Sequence, residues 1–328
     1  MAKFLIIQTA FIGDVVLSTP VIESLYNNFP GCQIDFLLRK GNEGLFENHP
    51  RLRKLFIWNK KEGKISNLFS LLKEIRKEKY DYVINLQRFF STGFFISLSG
   101  GKTKIGFSKN PLSFLYNQRF PHVIDASNGQ LHEIDRNLLL LSGIVKNQER
   151  HFPKLYPSKQ DFNQVPSGTY ITISPTSVWS TKQYPAKYWE QLIRNVPKGY
   201  SIYLLGGNAD FEACESILQN CSERENVNNM AGKLTFLQSA AFMKSAIMNY
   251  VNDSAPLHIA SSMEAPVTAV FCSTTPKFGF GSVHNNSRVV EAIPGLSCKP
   301  CGLHGYKVCP LGHFKCGDID PLLVLGDI

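Results

Sequence analysis

Along the first 150 residues, short apolar runs alternate with longer stretches whose apolar positions recur every three or four residues. KFLIIQ, QIDFLLR, KLFIW, DYVINLQ and KIGFS read as strands. Residues 15–27, the amphipathic ISNLFSLLKEIRKEK and the apolar FFSTGFFISLS read as helices, the last of them buried, and a further helix is expected over 131–141. Residues 146–167 are polar and carry Pro153, Pro157 and Pro166, which marks a linker. The alternation then restarts with strand TYITIS, helix AKYWEQLIRNV, strand SIYLLGG and helix DFEACESILQN. A helix over 235–244, strand IMNYVN, a helix over 256–263 and strand PVTAVFC follow. Such alternation implies parallel sheets with helices on both faces. Two series predict an α/β fold of two doubly wound domains, expected at 1–155 and 156–328, with ligands at the C-terminal ends of the strands.

Composition agrees: 328 residues suffice for two domains of ordinary size, and 43% hydrophobic with 19% charged is a globular balance. The longest uncharged apolar run, residues 89–101, is too short to span a bilayer. No charged n-region with a cleavage site opens the chain, so a cytoplasmic location is expected. The net charge of +9 is uneven: residues 1–150 hold 21 Lys/Arg against 13 Asp/Glu, residues 151–328 hold 14 against 13. The basic half is expected to face a membrane surface, an acidic glycolipid or a nucleic acid, unless it is simply a solvated lysine-rich surface. Nucleic acid is disfavoured because no recognition motif is present and the basic residues are scattered.

Several turns carry candidate chemistry. FIGDVVLSTP places Gly13 and Asp14 between the first strand and its helix, where a helix N-terminus ordinarily receives phosphate. In SPTSVWSTKQYPAKYW, Thr176, Ser180 and Thr181 supply hydroxyls and Lys182 a charge. This is either an ordinary polar loop or a phosphate grip without P-loop glycines. In VNDSAPLHIASS, Asp253 and Ser254 precede a helix with Pro256 in its first turn, and His258 follows within that helix. Plain capping and a pyrophosphate cradle use the same geometry there. In LLGGNADFEACESIL, Asp210 and Glu212 follow a glycine pair, suiting either ribose hydroxyls or the helix dipole. Of eight cysteines, Cys298, Cys301, Cys309 and Cys316 cluster with C-x2-C-x7-C-x6-C spacing. In a reducing compartment this reads first as a structural zinc site, then as unligated thiols, and last as disulfides.

Together these stretches resemble glycosyltransferase family 9, the ADP-heptose:lipopolysaccharide heptosyltransferases, over nearly the whole chain. The resemblance rests on FIGDVVLSTPVIESL, YDYVINLQ with its following apolar helix, and HEIDR, which holds His132 and Arg136. It continues through KQYPAKYWEQLI, LLGGNAD, FLQSAAFMKSA, NDSAPLHIASSMEAPVTAVFCSTTP and CKPC…CPLGHFKC. One departure is Ala255, where the family usually has glycine.

The resemblance implies a GT-B fold, two Rossmann-like domains facing a central cleft. The C-terminal domain would hold the nucleotide-sugar, an ADP-heptose. The N-terminal domain would hold a lipid-A-linked, anionic core oligosaccharide, in peripheral contact with the cytosolic face of the inner membrane. The implied reaction is inverting transfer of a heptose or related sugar without a divalent metal or other catalytic cofactor. Asp14 would be the general base, and the helix N-terminus behind it is expected to keep it ionised. Lys182 would stabilise the departing diphosphate, with Thr176, Ser180, Thr181, Ser254, Ala255 and His258 on the donor. Asp253 would meet sugar hydroxyls, Asp210 or Glu212 the ribose, and Gly13, His132 and Arg136 the acceptor. The alternatives are a transferase or epimerase of the same fold using another nucleotide-sugar, and a non-catalytic nucleotide-sugar or glycan-binding protein. A dinucleotide oxidoreductase is disfavoured because no G-x-G-x-x-G follows the first strand of either series.

Overall fold

The computed structural model describes residues 1–62, 64–125, 131–146, 149–292 and 296–328. Strand β1 (Lys3–Ile7) buries Phe4, Leu5, Ile6 and Ile7 completely, as expected of a parallel strand covered on both faces. Helix α1 (Ile12–Asn28) begins earlier than the expected 15, so Gly13 and Asp14 lie in its first turn instead of in a turn ahead of it. The cause is local. Phe11 is extended, and the Asp14 carboxylate accepts its N–H at 3.2 Å, satisfying one donor that a helix start otherwise leaves open.

The first unit continues with β2 (Gln33–Arg39), β3 (Lys54–Trp58), α2 (Lys64–Glu78), β4 (Tyr82–Asn85), α3 (Phe90–Leu98), β5 (Thr103–Phe107), β6 (Gln118–Phe120) and α4 (Glu133–Leu139). The second holds α5 (Lys159–Phe162), β7 (Tyr170–Ser174), α6 (Ala186–Asn195), β8 (Ser201–Leu204), α7 (Phe211–Asn220), β9 (Val227–Asn229), α8 (Phe236–Ser245), β10 (Met248–Asn252), α9 (Ala255–Ser262), β11 (Val267–Phe271), β12 (Ser287–Glu291) and α10 (Pro321–Leu325). The contacts divide the chain into Met1–Ile124 with Leu131–Tyr156 on one side and Pro157–Ile328 on the other.

Both sheets are parallel. Their orders are β3-β2-β1-β4-β5-β6 and β12-β11-β10-β7-β8-β9, the same doubly wound order in each. In each sheet the winding reverses between two central strands: β1 pairs with β4 through Ile7 and Asn85, and β7 with β10 through Ser174 and Val251. A crevice outside the strand C-termini at these reversal points is where such folds take ligands.

The periodicity pointed to neither β6 nor β12. Both are edge strands with partly exposed residues, QRF and SRVVE, so they lack a buried face to leave a pattern. The expected burial of α3 is only half met, since Phe95 and Ile96 are buried while Phe90 and Leu98 are exposed. Leu71, Leu72 and Ile75 of α2 join that buried pair against Leu5, Ile7, Leu37 and Trp58. Along α1 lies α4, where Asn137 Nδ2 donates to the Leu17 carbonyl at 3.3 Å. Among the described residues no helix is long and apolar enough to cross a membrane.

Candidate active site

At the reversal point of the first sheet, the segment after β1 is held from three neighbouring loops. Asn42 Nδ2 donates to the Ala10 carbonyl at 3.1 Å, and Lys60 Nζ donates to the Thr9 carbonyl at 2.8 Å. Thr9 Oγ1 donates to Gln87 Oε1 at 2.7 Å. These contacts tether Thr9 and Ala10, the segment that leads into α1 and Asp14. No role was expected of Asn42, Lys60 or Gln87, because each follows a different strand and only the sheet order brings them together.

Asp14 is half-buried. Burial, reinforced by the charge of Glu133, raises its carboxyl from 3.8 to about 6, against the opposing pull of the Phe11 N–H, its own N–H and Arg88. The helix N-terminus was expected to favour the ionised form, but desolvation outweighs it and shifts the carboxyl upward, to a value at which it is still ionised at neutral pH. Burial also lowers Arg39, while the Asp14 charge partly restores it.

Within HEIDR, Glu133 is the central charge. His122 Nε2 lies 3.2 Å from Glu133 Oε1, and Arg136 Nε donates to Glu133 Oε2 at 2.7 Å. Burial pushes Glu133 up, but these two partners outweigh it and hold its carboxyl below the ordinary value. Arg136 is 1% exposed and also donates to the Leu131 carbonyl at 2.6 Å. His132 caps α4, its Nδ1 accepting the Ile134 N–H at 3.2 Å. The structure thus engages Arg136 within the protein, on the side of α4 that sets the charge near Asp14. Gly13 lies beside Asp14 in the first turn of α1.

At the reversal point of the second sheet, Lys182 Nζ meets Asp253 Oδ2 at 2.7 Å, and Thr274 Oγ1 donates to the same oxygen at 2.5 Å. Asn252 joins three segments. Its Oδ1 accepts the Tyr184 N–H at 2.8 Å, and its Nδ2 donates to the carbonyls of Ser174 and Thr176 at 3.3 and 3.4 Å. Thr181 is buried, and its Oγ1 accepts the Tyr306 N–H at 2.7 Å and the Ser273 hydroxyl at 3.0 Å. Thr181 is thereby a structural clasp, while Ser180 is exposed beside it. Ser254 precedes α9 without capping it, its hydroxyl turned to the Asn252 carbonyl at 3.4 Å. Ala255 starts α9 and is not among the residues of positive φ, so the position needs no glycine. His258 is buried in the same helix.

Asp210 and Glu212 differ. Asp210 Oδ2 accepts the Gly207 N–H at 2.8 Å, whereas Glu212 is exposed. Glycine is needed at 206, because a Cβ there would meet Asp210 Cβ at 2.7 Å.

The cysteine segment buttresses the Lys182 loop. Besides Tyr306 on Thr181, the Cys301 N–H donates to the Ser273 carbonyl at 2.7 Å. Lys299 Nζ donates to the Phe271 carbonyl at 2.7 Å. Cys301 Sγ lies 3.1 Å from the Cys298 carbonyl, and Cys316 is packed into the hydrophobic core, where burial and the neighbouring thiols Cys301, Cys309 and Cys298 raise it to about 11. Backbone N–H groups of Phe314, Leu311, Gly312 and His313 lower the Cys309 thiol. Among the described residues no three His, Cys, Asp or Glu side chains are grouped to hold a metal ion.

Residues 68–306 match the family described as glycosyltransferase family 9 (heptosyltransferase). The chain is 30% identical over 278 residues to lipopolysaccharide heptosyltransferase 3 of Escherichia coli, covering 80% of this chain and 82% of that protein. To lipooligosaccharide heptosyltransferase 2 of Campylobacter jejuni it is 26% identical over 338 residues, covering 99% and 98%. Among solved structures, E. coli ADP-heptose LPS heptosyltransferase II superposes with a TM-score of 0.81 at 22% identity, covering 98% of this chain and 96% of that one. E. coli heptosyltransferase WaaC with ADP superposes with a TM-score of 0.74 at 17% identity, covering 88% and 92%. At these identities the superpositions carry the fold, GT-B.

Proposed function

Because this chain belongs to glycosyltransferase family 9 and is a glycosyltransferase, we propose that it transfers a heptose from ADP-heptose to a lipopolysaccharide core acceptor. Relatives named as lipopolysaccharide heptosyltransferases support the sugar and the acceptor class, and a related structure with ADP supports the nucleotide. The working place in this reading is the cytosolic face of the inner membrane.

The transfer proceeds with inversion. Asp14 takes the proton of an acceptor hydroxyl, and that oxygen attacks the anomeric carbon opposite the diphosphate. The anomeric C–O bond breaks, and the diphosphate leaves with its electron pair. Lys182 offsets the charge that grows on it, with Ser180 and the start of α9 beside it. Asp253 orients Lys182 in the free chain and exchanges that contact for a sugar hydroxyl when donor binds. Asp210 or Glu212 meets the ribose, while Thr176 and His258 line the donor side. Gly13 leaves room for the acceptor beside Asp14, and His132 and Arg136 act on the acceptor side by holding Glu133 and the start of α4. The observation that carries the base assignment is the Asp14 carboxyl, raised to about 6 at the first sheet's reversal point. A base of that strength is still ionised at neutral pH and accepts a proton more readily than an ordinary carboxylate.

The cysteine segment serves in this reading as a support for Thr181 and Lys182, with a structural zinc on Cys298, Cys301, Cys309 and Cys316. Zinc near one per chain in untagged protein supports the metal, and zinc well below that removes it.

The test of function is transfer by purified chain from ADP-heptose to a core acceptor lacking its terminal heptose. A heptosylated product supports the proposal. Donor turnover without acceptor favours an epimerase, and no turnover with any nucleotide-sugar favours a binding protein. Thermal stabilisation by one nucleotide-sugar above others names the donor.

A further inference from the structure

The C-terminal edge of the first sheet carries more than Asp14. The loop after β4 and the start of α3 expose Phe89 and Phe90 at 61% and 60%, and the turn after β5 exposes Phe114 at 67% and Leu115 at 47%. The first turns of α2 expose Ile65 at 72% and Phe69 at 55%. These side chains sit on neighbouring elements. Asn110 Nδ2, in the turn after β5, donates to the Phe89 carbonyl at 2.9 Å. A Cβ on Gly93 of α3 would meet Asn110 Oδ1 at 2.2 Å, so turn and helix press together. Phe69 of α2 packs edge-on against Phe94 of α3, with ring centroids 6.0 Å apart. An apolar surface of this extent, contributed by α2, α3 and one turn, marks an interaction site.

Its rim is basic. Lys61 follows β3, Arg88 follows β4 and Lys109 follows β5, while Lys73 lies on α2 four residues beyond Phe69, with Glu62 and Glu74 as the nearby acids. Large apolar side chains ringed by exposed lysines fit an anionic bilayer, where rings enter the interface and cations meet phosphates. A protein partner fits less well, since protein interfaces are depleted in lysine.

We infer that this surface, centred on Phe89, Phe90 and Phe114, is a membrane-docking face for anionic phospholipid. It lies on the same edge of the sheet as Asp14, so docking brings the proposed base to the side from which a lipid-linked acceptor is presented. Only that purpose rests on the proposed transfer; the binding itself does not.

The test is flotation of the full chain with vesicles of phosphatidylglycerol and phosphatidylcholine, against vesicles of phosphatidylcholine alone. The wild type is expected to float with the anionic vesicles and to be released only in part by salt. The triple variant F89S/F90S/F114S should keep its melting temperature, since all three positions are exposed, and lose about tenfold or more in partitioning. The inference is overturned if the wild type ignores anionic vesicles, or if the triple variant floats as well as the wild type. It is equally overturned if the substitutions abolish self-association and leave vesicle binding intact, for then the face covers a second copy. Transfer to a delipidated core oligosaccharide is measured separately: failure there with flotation intact removes the proposed function and not the docking face.

Discussion

After β1 in the first unit, the loop leads into a helix whose third residue is Asp14, half-buried, raised to about 6 and surrounded by the charges of Arg39, Arg88 and Glu133. After β7 in the second, the loop leads to Lys182, bound to Asp253 from the strand on the other side of the reversal point. The strand orders match, and in both units the site forms where the winding reverses. What differs is the partner. Asp14 sits where burial and a second carboxylate disfavour its charge, leaving a group poised to take a proton. Lys182 sits against an opposite charge, which keeps a cation in place where a diphosphate would need one. A shared topology thus sets where polar groups collect, and the neighbours decide what those groups can do.

The comparison breaks first at Asp14. Asp14→Asn should lower transfer by about 10²-fold or more, with donor binding retained by calorimetry. Turnover near wild type would remove the base. Next is Lys182→Ala, which should raise the donor KM and, by stranding a buried Asp253, lower stability by about 3 kcal/mol. A wild-type donor affinity with an unchanged melt would show that the pair does not matter.

A third prediction uses pH. The rate should fall as pH drops through about 6, where Asp14 takes up its proton. The stability sign follows from the direction of the shift. A carboxyl raised in the folded state contributes its stability below the ordinary value near 3.8 and loses it as pH rises through about 6. Asp14→Asn should therefore melt above the wild type at pH 8, with the gap closing toward pH 4. A gap independent of pH would mean that the carboxyl is not raised.

The smallest effect is expected at the clasp. Thr181→Val removes its hydroxyl contacts with Tyr306 and Ser273, at a cost of about 1–2 kcal/mol. The accompanying rise in donor KM should be smaller than for Lys182→Ala. An equal rise would make Thr181 a direct donor contact.

Much of this was legible along the chain. The alternation of KFLIIQ, QIDFLLR and their helices was enough for two doubly wound units, because a parallel strand buried on both faces leaves an uninterrupted apolar run. Asp14, Lys182 and Asp253 stood out because they follow strand ends, where this fold collects ligands. HEIDR also stood out, but for its outer residues and not for Glu133, which is buried with Arg136, since local spacing does not reveal His122 as its partner. Asn42 and Lys60 gave no signal, and Gln87 and Asn252, though within YDYVINLQ and NDSAPLHIASS, were assigned no role. Each acts on a loop distant in sequence, and only strand order makes them neighbours.

Local periodicity and short-range turn chemistry account for the alternation, the two units and the residue types waiting at the strand ends. Packing between distant segments was needed to raise Asp14 to about 6, to pair Lys182 with Asp253 and to hold Thr181 by the cysteine segment. Desolvation and charge pairing depend on what is packed nearby, and that is fixed only when residues far apart in the chain meet.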